Sequence, residues 1–273
     1  MREAGHSSVN LDPILLASIT LDSILASTSG SAVRVAVLDS GVDSQHPALM
    51  GRVHRACVVE GGGSLPVVRE ISPDDATDIF SSGHGTCVAG IIAQIAPGAS
   101  LTSVQVLDES NRGSGKEMLA GLEWALENGY KLINLSLSIP SRNFLLLEPL
   151  FKLCERAYEQ EAIIVASRKN GQRLGMPAKF SSVIAVGEAT TTDRHYLRFL
   201  EKSLIEFLAR GVDVEVAVPG GTTAVRTGTS FAAPHVTGIC ARILEQFPGI
   251  RPYEVKTVLG ALARQAADGQ PGN

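Results

Sequence analysis

Three things are scarce in this 273-residue sequence, and each scarcity excludes a class of protein. Cysteine occurs four times, at Cys57, Cys87, Cys154 and Cys240, in separate stretches without paired ligand spacing. That excludes a disulfide-dense scaffold and reads as reduced, mostly buried thiols. Charge of one sign is missing too. The 24 Lys and Arg against 28 Asp and Glu leave a formal net charge of -4, with the basic residues scattered rather than striped, so no nucleic acid partner is expected. Long hydrophobic runs are also absent. No stretch is long enough to span a bilayer, and the N-terminus lacks a basic region followed by an apolar segment and a cleavage site. The expectation is a cytoplasmic protein with no membrane partner.

What is present is a 44% hydrophobic chain, enough for one sizeable core. Residues 1–30 read as a short N-terminal extension, in which Leu11 to Leu16 and Leu21 to Leu25 form apolar turns before a Ser-Thr-Ser-Gly linker. Residues 31–267 form the main domain, and 268–273 a tail. Val33 to Leu38 is an unbroken apolar run, as expected for a central strand buried on both faces. Further runs at Leu101–Leu107, Leu132–Ser136, Ala162–Ala166, Val183–Val186 and Val214–Val218 alternate with helical spacing at Lys116–Glu127 and Leu145–Gln160. The pattern predicts a three-layer α/β fold, with a mostly parallel central sheet and helices on both faces. Residues 59–82 read as loop. Their acidic trio Asp74, Asp75 and Asp78 reads as solvated charge, and no metal is assigned.

Ser230, within Gly228-Thr229-Ser230-Phe231-Ala232-Ala233-Pro234-His235, is the candidate nucleophile. A serine hydroxyl needs a base within hydrogen-bond reach and a third group to orient that base. Gly83-His84-Gly85-Thr86 offers the base at a helix start. Asp39 offers the orienting carboxylate at the carboxyl end of the Val33–Leu38 run, where open α/β sheets place their chemistry. Each stretch alone has a plainer reading. Asp39-Ser40-Gly41 reads as a turn, Ser230 as a helix cap with Pro234 in the first turn, and His84 as a satisfied buried imidazole.

In the order Asp, His, Ser, the three stretches resemble the subtilisin-like serine proteases, the subtilase family. Asn134-Leu135-Ser136-Leu137, Pro177-Ala178-Lys179-Phe180, Ser182 to Gly187 and Val218-Pro219-Gly220 extend the resemblance from about Ser31 to about Arg264. It implies a subtilisin-like fold and a serine endopeptidase working through Asp39, His84, Ser230 and an acyl-enzyme. The oxyanion would be held by the Ser230 N–H and by Asn170, before which Lys169 replaces the family's glycine. Peptide or protein substrate would bind extended between Gly113-Ser114-Gly115 and Leu135-Ser136-Leu137-Ser138. The pocket wall Ser167–Gly175 brings Arg168, Lys169 and Arg173 with no nearby acid, so Lys169 and Arg173 are expected to favour an acidic substrate side chain. No cofactor is implied, nor calcium, because the loop after Gln94 is short. Cys87 stands where the family usually has a second histidine, which places a thiol close to the active site and raises the question of mercurial sensitivity. Thirty residues are too few for the family's inhibitory prodomain. A peptide macrocyclase on the same fold and a non-catalytic peptide-binding module are the alternatives.

Overall fold

The computed structural model describes residues 11–61, 65–78, 83–108, 113, 115–140, 143–168 and 175–268. A nine-stranded sheet runs in the order β3 (Val67–Ile71), β2 (Val53–Glu60), β4 (Ser100–Gln105), β1 (Arg34–Asp39), β5 (Leu132–Leu135), β6 (Ile163–Ser167), β7 (Ile184–Ala189), β9 (Phe207–Arg210), β8 (Leu197–Phe199). All pairings are parallel except those at the two edges, β2 with β3 and β8 with β9. The unbroken apolar run of β1 can be buried only if both faces are covered. Both are: Val35 and Val37 join one core and Ala36 and Leu38 the other.

The first core lies beneath α3 (His84–Ile95), α6 (Thr229–Gln246) and α7 (Pro252–Asp268); the second lies beneath α4 (Gly115–Glu127) and α5 (Phe144–Glu159). Helix α6 is apolar nearly all round, the pattern of a helix inside a core rather than on its surface. It packs across β5, β6, β7 and β9 and against α3. The hairpin β10 (Val214–Val218) and β11 (Thr222–Arg226) is a separate two-stranded sheet against α3.

The short apolar turns near the N-terminus are α1 (Pro13–Ser18), capped by Asp12, and α2 (Leu21–Ser27), with a Thr20–Ser23 capping box. They dock on α7 and α6 respectively. The stretch 59–82 is not loop throughout. Strand β2 continues to Glu60 and its chain returns antiparallel as β3, while Pro73–Asp75 form a single 3-10 turn. Strand β3 is an exposed edge with a weak apolar pattern, and β2 carries His54 and Arg55, so neither shows the apolar run of the central strands.

Candidate active site

Asp39 is the last residue of β1, fully buried between β4 and β5. Its Oδ1 accepts from His84 Nδ1 at 2.7 Å and from the Ser40 N–H at 2.8 Å, while its Oδ2 is buried without a partner. His84 opens α3 after Gly83, whose left-handed backbone (φ 64°) and contact with Pro219 leave no room for a side chain. Gly85 rests on the Gly41 carbonyl just as tightly. Gly85 thus seats the first turn of α3 on the end of β1, and Gly83 fits that turn against Pro219 just after β10. Burial works against a charged imidazole, but the attraction and hydrogen bond of Asp39, aided by the charge of Asp78, outweigh it and hold the His84 pKa above its ordinary value. His235, buried further along α6, behaves oppositely. Burial pushes it to about 4, and its Nδ1–H is spent on the Phe231 carbonyl at 2.8 Å.

Ser230 occupies the second position of α6, and the helix cap is Gly228, which offers no capping side chain. A helix leaves its first N–H groups without intrahelical acceptors, and that of Ser230 is among them. The Phe231 ring lies 5.6 Å from the His84 ring, which brings this helix start to the imidazole. No hydrogen bond joins His84 to the Ser230 hydroxyl, a contact that commonly tightens only when substrate binds. Pro234 falls in the second helical turn rather than the first. Lacking an N–H, it leaves the carbonyl four residues back, that of Ser230, without its helical donor. Ser136 Oγ fills the vacancy at 2.9 Å, and Ser136 is itself held by Asn134 Nδ2 at 3.0 Å, whose Oδ1 accepts from Thr237 at 2.8 Å. A buried polar chain thus runs from mid-helix through β5 back to the backbone of Ser230.

The expected substrate segments are partly corrected. Leu135 is core, paired through β5 with Leu38 on one side and Ala166 on the other, so its backbone is no free edge. The Ser136 side chain is buried and its hydroxyl committed to Ser230, while its backbone lies just past the end of β5. Leu137, Ser138 and Ile139 instead join Gly113, Gly115, Met118 and Leu146 around an apolar cavity of about 410 Å³. Arg168 is not without a nearby acid: its Nε and Nη2 bind Glu188 at 3.1 and 2.7 Å. Ser114, Lys169, Asn170 and Arg173 lie outside the described residues. Cys87 is buried, and burial first, then the nearby Asp78, push its thiol up to about 12.

Asp78, read from the sequence as solvated, belongs to this site. Its Oδ1 accepts from Ser40 Oγ, and its Oδ2 from the N–H and hydroxyl of Thr86, each at 2.8 Å. Burial raises its pKa against the pull of these donors. Only its position six residues before His84 hinted at this, and short charge clusters rarely turn inward. Among the described residues no group of three His, Cys, Asp or Glu side chains is placed to hold a metal, and no helix is long and apolar enough to cross a membrane.

The fold and this geometry are those of the subtilases. The subtilase family model matches residues 30–272, and the chain belongs to that family. It is 35% identical over 250 residues to subtilisin amylosacchariticus of Bacillus subtilis subsp. amylosacchariticus, covering 86% of this chain and 61% of that one. It is 34% identical to a subtilisin of Bacillus pumilus, covering 86% of this chain and 85% of the relative. Some of the subtilisins it matches are therefore considerably longer than the matched region, which spans about three fifths of their length. Among solved structures, a cold-adapted subtilisin-like serine proteinase shares the fold with a TM-score of 0.70, at 24% identity over 86% of this chain and 83% of that one.

Proposed function

We propose that the chain is a serine endopeptidase acting on peptide or protein substrates. The observation that carries this reading is the 2.7 Å hydrogen bond from His84 to the fully buried Asp39, with the imidazole beside Phe231 at the uncapped start of α6. Asp39 holds the His84 tautomer with Nδ1 protonated, which leaves Nε2 as the base. His84 takes the Ser230 proton as Oγ attacks the scissile carbonyl, and returns it to the leaving amine when the peptide C–N bond breaks. Water, activated in the same way, then hydrolyses the acyl-enzyme. The Ser230 N–H at the positive end of α6 stabilises the oxyanion, with Asn170 as the second donor. The apolar cavity between Gly113–Gly115 and Leu137–Ile139 receives an apolar side chain of a substrate lying extended between those segments.

Labelling by a fluorophosphonate probe, lost in Ser230→Ala, together with hydrolysis of a broad peptide library is the test. An alanine variant that still labels, or a wild type that cleaves nothing, overturns the reading. Asn170→Ala should lower kcat by about 10² to 10³ with little change in KM, the scale expected for one oxyanion donor. We also propose a reducing, cytoplasmic setting. It is supported by four buried thiols, of which Cys57, Cys87 and Cys154 are pushed to about 12 by burial and so stay protonated. Cell fractionation checks it, and recovery only from the medium would refute it.

A further inference from the structure

A second carboxylate stands behind the Asp39–His84 pair, and the hydrogen bonds around it run in one direction. The Ser40 hydroxyl accepts from the Gly85 N–H at 3.1 Å, so its single proton is left to give away. Asp78 receives it at 2.8 Å, while Asp39 Oδ1 lies at 3.3 Å. The Thr86 hydroxyl accepts from the Asp43 N–H at 3.0 Å, and its proton also goes to Asp78. With the Thr86 N–H, three donors among the described residues converge on the two oxygens, the surroundings that satisfy a carboxylate rather than a carboxylic acid. Asp78 therefore draws the Ser40 proton away from Asp39. The charge of Asp39 is left to the Ser40 N–H and to His84.

We propose that Asp78 is a positioning residue of this site: through Ser40 and Thr86 it locks the end of β1 to the first turn of α3 and adds a second buried negative charge beside the imidazolium formed in turnover. This rests on the endopeptidase reading. Among the described residues, the other charged or titratable groups around the cluster are Asp39 on β1, Asp43 on the connection that follows, His84 and Cys87 on α3 and Arg226 on β11. Asp39 and Asp78 raise the imidazole midpoint, while Arg226 is the cation whose field reaches Cys87 on the same helix as His84.

Asp78→Asn changes two things with the same sign. It removes a negative charge, and its amide N–H donates to Ser40 Oγ, turning the Ser40 proton onto Asp39 and weakening the hold of Asp39 on His84. An NMR titration of the His84 imidazole, assigned with His84→Gln, should show the midpoint falling by about half to one pH unit. The acid limb of kcat/KM for a chromogenic peptide should move down with it, with kcat lowered about tenfold or more at an unchanged KM. An unshifted midpoint overturns the proposal. Ser40→Ala keeps both carboxylates, serves if the asparagine variant does not fold, and should lower kcat with the His84 midpoint still raised. Wild-type kcat in that variant is equally fatal. A wild type that hydrolyses no peptide defeats the endopeptidase reading instead, while the imidazole titration still reports on Asp78 alone.

Discussion

The two ends of α6 use polar chemistry in opposite ways. At the start, Gly228 provides no cap, Pro234 withholds an N–H, and a backbone N–H is left for a developing anion. At the far end, roughly 20 Å along the helix, polar groups are consumed. Arg242, buried, donates to the carbonyls of Ile95, Leu25 and Thr28. The carboxylate of Glu245 accepts the consecutive N–H groups of Ser29, Gly30 and Ser31 at 2.7, 2.5 and 2.9 Å. The extension at residues 20–31 is therefore tied to the end of α6 remote from Ser230, not laid across the site. One helix separates reactivity from anchoring by placing them at opposite termini.

The sharpest way to break this comparison is to exchange the consequences of mutation. Ser230→Ala should cut turnover by several orders of magnitude while leaving the urea unfolding midpoint nearly unchanged. Arg242→Met should do the reverse. It strands buried carbonyls and should cost about 2 to 4 kcal/mol in urea unfolding, with kcat/KM of the folded protein within about twofold of wild type. Glu245→Ala should follow in the same sense at about 1 to 3 kcal/mol, since a charge-assisted acceptor is lost from three N–H groups. A large loss of activity per folded molecule in either variant would show that the ends are coupled. Pro234→Ala probes the boundary. It restores an N–H that competes with Ser136 for the Ser230 carbonyl, and a net hydrogen bond of about 1 kcal/mol corresponds to roughly fivefold in kcat. Unchanged kcat in that variant would mean that Ser136 does not help to position Ser230.

The reactive end was far more legible in the sequence than the anchored one. Asp39, His84 and Ser230 sit in short stretches whose small neighbours mark close approach, and the apolar run of β1 fixes where Asp39 must emerge. Arg242 and Glu245 carry no local signal, because their partners lie between about 150 and 220 residues away in the chain. Asp78 was missed for the same reason. Its donors Ser40 and Thr86 are brought to it by the packing of α3 on β1 and not by any spacing. Leu135 was grouped with the substrate segments by resemblance, which does not mark where the paired backbone of β5 ends and free backbone begins.

The smallest effect concerns substrate charge, where the structure changes the expectation most directly. The wall formed by Ser167 to Gly175 was read as three cations without an acid, yet the Arg168 guanidinium makes a two-bonded pair with Glu188 on β7, the side chains being 31% and 27% exposed. Its backbone is engaged as well, the N–H on the Val186 carbonyl at 2.9 Å and the carbonyl on the Thr229 hydroxyl at 2.6 Å. Arg168 thus ties β7 to the residue preceding Ser230, and its charge is neutralised before substrate arrives. Any acidic preference must then be carried by Lys169 and Arg173. Glu188→Gln releases the guanidinium, but a half-exposed cation interacts weakly with substrate, by about 0 to 1 kcal/mol. The ratio of kcat/KM for aspartate over leucine immediately before the scissile bond should therefore rise by no more than about fivefold. Lys169→Ala and Arg173→Ala should lower that ratio further than Glu188→Gln raises it. A tenfold or larger rise on freeing Arg168, with no response to the other two substitutions, would mean that Arg168 itself faces the substrate and that Glu188 acts as its gate.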